Sequence, residues 1–290
     1  LWYASLAPRA ARVARCLDAR LWYASLAPRD ARCARVAWTQ DSSTQASRLA
    51  PLAALASLGA HVAVCDRQAD GLAETAAAIE ATGRRALADV FDVRDVDSVE
   101  SFMARVAGEL GPIDILVNNV GGGFHAEFAG VSPKREAALI AENFGTVTNS
   151  VRSALDRLAA GAAVVNVTSV EAYHAAPGFG IYAAMKAAVE QFTKTLALEL
   201  GGRGIRVNCV APDMIPTPGD ADLAADSSAM STEHHPTPLR RMGSTDECAA
   251  VIAFLASDLA SFVTGTSIPV DGGTVAGAAW KVGLDGTFRM

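Results

Sequence analysis

From Arg35 onward the chain alternates short apolar runs with longer segments whose apolar residues recur at helical spacing. The short runs, residues 35–39, 61–65, 86–90, 113–118, 163–168, 206–210 and 267–270, predict seven strands. Helices are predicted between them at about 51–58, 69–81, 96–110, 136–159, 181–200 and 246–256. Gly59, Gly83, Gly111 and Gly201 stand just past helical runs, where a left-handed capping residue is favoured. Strand–helix–strand crossovers are right-handed, so the pattern implies a doubly wound parallel sheet, a Rossmann-like α/β fold with helices on both faces. Its ligand crevice lies beyond the carboxyl ends of the strands. Residues 213–243 have little periodicity and several Pro, Ser and His, the profile of a lid over a substrate.

Length adds that one large core is affordable: 290 residues, 51% hydrophobic and 19% charged, suit one α/β domain over residues 35–278. Residues 1–34 form a basic N-terminal tail and 279–290 a C-terminal tail, whose Trp280 and Phe288 could pack across a neighbour or cover the site. Residues 1–35 carry seven arginines against Asp18 and Asp30, a net of +5 that leaves −11 on the rest of a chain whose total is −6. Within that tail Leu1–Arg9 recurs unchanged as Leu21–Arg29; two copies are too few for a solenoid. An Arg-rich, acid-poor start is also a feature of transit peptides, but a duplicated tail without chemistry accounts for it. The net charge gives no reason to expect nucleic-acid binding, and no apolar run reaches membrane-spanning length. Five cysteines without a C-x-x-C pair favour a reducing, cytoplasmic setting and no structural metal.

The chemistry gathers between residues 143 and 186. Tyr182 and Lys186 lie four apart on a predicted helix, hence on one face. An ammonium beside a phenol favours the phenolate, lowering a pKa that starts near ~10 and making the tyrosine a usable general acid or base. Ser169 follows an apolar strand, which puts its hydroxyl at the carboxyl edge of the sheet. Asn143, two residues before Gly145, is a poor helix-interior residue and predicts a local kink that frees backbone groups to hold water. Taken singly, each has a plain alternative: a solvated helix face for Tyr182 and Lys186, a cap for Ser169.

Asp66, Asp92-Val93, Asn118-Asn119-Val120-Gly121, Asn143, Ser169, Tyr182, Lys186, Pro212–Thr217 and Asp271-Gly272-Gly273 occur in an order that resembles the classical short-chain dehydrogenase/reductases. The likeness runs from Arg35 to Gly277, more than four-fifths of the chain. It implies that Tyr182 is the acid/base, that Ser169 orients the substrate oxygen, and that Asn143 holds a relay water. Lys186 would lower the tyrosine pKa and, with Tyr182, meet the cofactor's nicotinamide ribose. Asp66 would accept from both adenine-ribose hydroxyls and repel a 2′-phosphate, favouring NAD over NADP; the same carboxylate could instead cap the next helix. Asp92 and Val93 would flank the adenine, Asn119 and Gly121 line the floor beneath it, and Ile215 and Thr217 meet the carboxamide. A homotetramer or homodimer packed through the helices of Asn143 and Tyr182 is also implied.

One stretch departs from the family. Where its members place a glycine-rich turn for the pyrophosphate, residues 39–48 read Thr-Gln-Asp-Ser-Ser-Thr-Gln-Ala-Ser-Arg, with Gln40, Thr44 and Ala46 at the glycine positions. Asp41 adds a negative charge there, Ser42, Ser43 and Thr44 offer hydroxyls, and Arg48 offers a cation. Val120 and Asp213 replace a family alanine and glycine. Two readings follow: an oxidoreductase interconverting a secondary alcohol and a ketone with NAD, or a related protein with lost or altered nucleotide binding, serving as a binding or assembly subunit or running cofactor-independent acid/base chemistry. The substrate is a small carbonyl or alcohol compound. Glu171, Tyr173 and His174 would line its entrance, and His234-His235 read as an exposed loop pair.

Overall fold

The computed structural model describes residues 35–41, 52, 54–216 and 234–289; the repeat-bearing tail, residues 42–51, Thr217 and the rest of 217–233 in the expected lid lie outside them. Seven parallel strands form one sheet: β1 (Arg35–Asp41), β2 (His61–Asp66), β3 (Ala86–Val90), β4 (Ile113–Val120), β5 (Leu158–Val167), β6 (Arg206–Pro212) and β7 (Ser267–Val270). Their spatial order is β3-β2-β1-β4-β5-β6-β7. Between them run α1 (Ala69–Glu80), α2 (Val96–Glu109), α3 (Pro133–Ile140), α4 (Thr146–Ala154), α5 (Gly180–Leu200) and α6 (Thr245–Ala256). This is the Rossmann-like arrangement the pattern implies.

Strand alternation divides the core in two, because successive side chains leave opposite faces of a sheet. Ala37, Ala63, Leu116, Val164 and Val207 pack with α2, α4 and α5 through Phe102, Met103, Val151 and Leu196. Val36, Val62, Val117, Val165 and Val210 pack on the other face with Leu52, Leu72, Ile79 and Ile252. Each fully buried aliphatic side chain contributes about 1.5–3 kcal/mol. At the sheet's lower edge Asp114 accepts from the backbone N–H of Arg35 at 2.8 Å and from its guanidinium at 2.8 and 3.1 Å, tying β1 to β4.

One register level of the sheet is polar. Thr39 pairs with Asn118, Asn118 with Asn166, and Asn166 with Cys209, a single row across β1, β4, β5 and β6. All four are fully buried and linked by side chains. Thr39 Oγ1 donates to Asn118 Oδ1 at 3.0 Å, and Asn118 Nδ2 to Asn166 Oδ1 at 2.7 Å. Asn166 Nδ2 donates to Thr193 Oγ1 of α5 at 2.8 Å, which also accepts from the Cys209 thiol at 3.1 Å. Burial pushes that thiol up to about 12, so it stays a neutral donor.

Several boundaries differ from the sequence expectation. The long helix expected at 136–159 is broken: α3 gives way to a π-helical turn, Ala141–Gly145, then α4, and the chain is extended again by Leu158. Gly201 is right-handed (φ −57°), because a 3-10 turn continues the helix and hands the left-handed position to Gly204 (φ 71°). Gly59, Gly83 and Gly111 do take positive φ. β1 runs past Thr39, with Gln40 paired to Asn119 and Asp41 to Val120. No glycine at position 40 releases the chain, and the equally extended β4 offers it partners. Near the C-terminus β8 (Lys281–Val282) and β9 (Phe288–Arg289) form a hairpin, while His234 bridges to Gly283. That bridge leaves His234 and His235 half-buried, not exposed as the loop reading had them. Trp280 and Phe288 remain exposed.

Candidate active site

The carboxyl edge of β4 and β5 collects most of the sequence-predicted groups. Pairing between these strands ends at Asn118 and Asn166, and just beyond that rung the buried ammonium of Lys186 takes a carbonyl from each. Its Nζ donates to Val120 O at 3.1 Å and Val167 O at 3.2 Å. Burial lowers its pKa from 10.5 to about 8. Keeping it charged there costs roughly 3 kcal/mol, a cost that applies below about 8 and fades as pH rises toward the unfolded value. One α-helical turn earlier stands Tyr182, with Lys186 Nζ 5.5 Å from its ring centroid and Phe179 edge-on at 6.4 Å.

Asn143 sits in the π-helical turn, as the misfit of asparagine and Gly145 in a helix suggested, and it is fully buried. Its Nδ2 donates to Gly122 O at 2.9 Å and Leu139 O at 3.0 Å, and its Oδ1 accepts from Gly122 N at 3.2 Å. The carboxamide is thus spent on holding the chain after β4. Gly121 joins these groups: at φ 144°, an added Cβ would lie 2.5 Å from both Lys186 Nζ and Asn143 Oδ1. Ser169, nearly buried, accepts from Glu171 N–H at 3.2 Å and so does cap the short turn that follows. A cap of this kind leaves the hydroxyl proton to donate elsewhere.

The nucleotide-side residues are spread along β1–β4. Asp66 is buried at the end of β2 and accepts from Gln68 N–H at 2.8 Å, so it also holds the entry of α1. Asp92 is engaged by the guanidinium of Arg94, with Nε at 2.9 and 3.0 Å, and this bonding holds its carboxyl below the usual range. Arg94 as its partner was not read from the sequence, although its i+2 spacing is the available signal. Val93 is a core side chain, leaving only its backbone for a ligand, and Asn119 is half-buried. Strand order reverses between the parallel neighbours β1 and β4, the switch point at which such sheets hold ligands. Asp66, Asn119, Gly121 and Lys186 edge that crevice and suit a dinucleotide's ribose and nicotinamide portions. β1 continues through Gln40 and Asp41, paired to Asn119 and Val120 of β4.

On the β6 and β7 side, a cavity of about 480 Å³ is lined by Asp213, Ile215, Leu239, Arg241, Glu247 and Asp271. A second, of about 330 Å³, borders Gly122, Phe124, Arg135, Leu139 and Glu142. Both fall in the size range of small-molecule sites. At the entrance, His174 Nε2 lies 3.7 Å from a Glu171 carboxyl oxygen. Tyr173 donates to Ser267 of β7 at 2.6 Å. Burial raises the pKa of Glu171 and of Asp213, and each is raised further by a neighbouring carboxylate, Asp213 and Asp271 respectively. A raised folded-state pKa means the fold binds the proton more tightly than the open chain, so stability is lost as pH rises through that pKa. Asp213→Asn is therefore expected to raise Tm by a few degrees at neutral pH and to leave it unchanged well below the carboxylate range. Equal shifts at both pH values would remove this account of Asp213.

Among the described residues, no group of three His, Cys, Asp or Glu side chains is placed to hold a metal ion, and no helix is long and apolar enough to cross a membrane. A family model described as enoyl-(acyl carrier protein) reductase matches residues 50–275. The chain is 39% identical over 212 residues to 3beta-hydroxysteroid dehydrogenase 1 of Eggerthella lenta, a match covering 70% of this chain and 79% of that one. It is 36% identical over 222 residues to gluconate 5-dehydrogenase of Gluconobacter oxydans, covering 76% and 86%. A crystal structure of a dehydrogenase/reductase from Sinorhizobium meliloti superposes with a TM-score of 0.76 at 30% identity, over 88% of this chain and 98% of that one.

Proposed function

Because the chain belongs to the classical short-chain dehydrogenase/reductase family, oxidoreductases that work with nicotinamide cofactors, we propose that it interconverts a secondary alcohol and a ketone, with Tyr182 as the general acid/base. The observation that carries this reading is the buried ammonium of Lys186, fixed between Val120 and Val167 and 5.5 Å from the Tyr182 ring. When bound, the nicotinamide supplies or accepts the hydride. In the reducing direction Tyr182 gives its phenolic proton to the carbonyl oxygen as that oxygen gains charge. The fixed ammonium stabilises the phenolate left behind without having to reorganise. Ser169, whose Oγ is turned by the Glu171 amide, donates to the same substrate oxygen and orients it. Asn143 holds the Gly122 backbone beside Lys186. In the oxidising direction the proton moves the other way, from the alcohol to Tyr182.

Asp66 supports NAD over NADP, because a buried carboxylate at the ribose end repels a 2′-phosphate. The family likeness supports a homo-oligomer and a small-molecule substrate. The extension of β1 through Gln40 and Asp41 favours the second reading, a protein of this fold whose grip on the dinucleotide is lost or altered. A titration with NADH, followed by nicotinamide fluorescence or calorimetry, separates the two. The expected result is saturable binding, weaker for NADPH. An absence of saturation up to millimolar NADH would leave the second reading in place. Gly at positions 40, 44 and 46 together should tighten NADH binding if the turn keeps the family path.

A further inference from the structure

The buried stripe of α5 is Ala183, Lys186, Val189, Thr193, Leu196, Ala197 and Leu200, and only two of its members are polar. Lys186 and Thr193 are seven residues apart, two turns along one face, with Tyr182 one turn before Lys186. Apolar contacts are non-directional and leave a helix some freedom to slide or rotate on a sheet. Hydrogen bonds remove that freedom. Thr193 Oγ1 is bonded to Asn166 of β5 and Cys209 of β6, both fully buried, so it locks α5 to two strands at once. Asn166 is in turn clasped to Asn118 at the last paired rung of β4 and β5. The two carbonyls that hold Lys186 belong to Val120 and Val167, two residues beyond Asn118 and one beyond Asn166.

We propose that Thr193, held by Asn166, is a positioning residue that fixes where α5 sits on the sheet, and so where Tyr182 and Lys186 stand at its edge. Neither residue touches the reacting atoms. Their effect passes through the gap between β4 and β5 and through the axial setting of α5. This rests on the proposed role of Tyr182. The charged and titratable groups that bear on Lys186 are Tyr182 on its own helix, Cys209 on β6 and Glu142 on the π-helical turn. Of these only Cys209 touches Thr193.

The test is Thr193→Val, which keeps the shape and deletes the hydroxyl, against Thr193→Ser, which keeps the bond. Two readings are taken: kcat per folded molecule, and the absorbance titration of Tyr182, obtained by subtracting Tyr182→Phe in a chain with only four tyrosines. Thr193→Val is expected to lower kcat on the order of tenfold to a hundredfold and to move the Tyr182 titration to higher pH, as its cation drifts away. Thr193→Ser should restore both. A merely structural role would lower Tm while leaving kcat and the titration in place, and that result overturns the proposal. Should Thr193→Val not fold, Thr193→Ala carries the same expectations. If the parent protein turns over no carbonyl compound, the functional reading fails first, and the Tyr182 titration still decides this one.

Discussion

Tyr182→Phe is expected to reduce kcat by roughly 10²- to 10⁴-fold while changing NADH affinity and Tm little, because proton transfer by a positioned group contributes about that factor. The substitution removes one oxygen and keeps the ring. Phe179 retains its edge-on neighbour at 6.4 Å, and the chain at Gly123 keeps the ring against which a Cβ would rest at 3.3 Å. Lys186 keeps both carbonyls, since neither bond involves the phenol. The parent should also lose reducing activity as pH rises past about 8, where Lys186 gives up its charge and the phenolate loses its stabiliser. In Tyr182→Phe that dependence should vanish from whatever rate remains. The measurement is steady-state NADH oxidation with a ketone panel across pH, beside a binding titration. Turnover within a few-fold of the parent would remove Tyr182 from the mechanism, whatever the affinity.

The parts of the fold set by local pattern were legible in the sequence. Seven apolar runs became seven strands in one sheet, because period-two burial and short length leave few other outcomes. The approach of Tyr182 and Lys186 was legible too, since the two share a helix face by spacing alone. Breaks were harder. The end of α4 at Ala154 is set by the return of the chain to β5, whose Leu158 pairs with Ile113, a tertiary demand that helical periodicity does not encode. Gly201 looked like the cap because it follows the apolar stripe, but the 3-10 turn Gly201–Arg203 defers the reversal to Gly204. The half-burial of His234 depends on a partner, Gly283, that only folding brings near. The polar row was the least visible part. Asn118 and Asn166 end apolar runs, and their link to Thr193 joins residues 27 to 75 positions apart.

Gly121→Ala is the second substitution with a large expected effect, and it tests whether the catalytic edge is as tightly built as these distances imply. The methyl would fall 2.5 Å from Lys186 Nζ, 2.5 Å from Asn143 Oδ1 and 3.2 Å from Lys186 Cε. Ends of long side chains can often move aside. Here both are pinned, Lys186 by two carbonyls and Asn143 by the Gly122 backbone and Leu139. Moving either breaks hydrogen bonds in a buried setting; those to a charged group are worth about 1.5–3 kcal/mol each. A residue with a Cβ at φ 144° adds roughly 1–3 kcal/mol of backbone strain. Together these should lower Tm by several degrees and reduce kcat on the order of a hundredfold, since Lys186 must leave the place from which it steadies Tyr182. Gly122→Ala is the matched control. Its Cβ would meet only the Glu142 carboxyl, at 3.1 Å, and that side chain is half-buried beside a cavity of about 330 Å³ into which it can swing. That variant should stay within a few-fold of the parent in kcat and within a degree or two in Tm. Similar losses at both positions would point to a general intolerance of the loop after β4. A large loss at Gly121 alone ties activity to the space that Lys186 and Asn143 share.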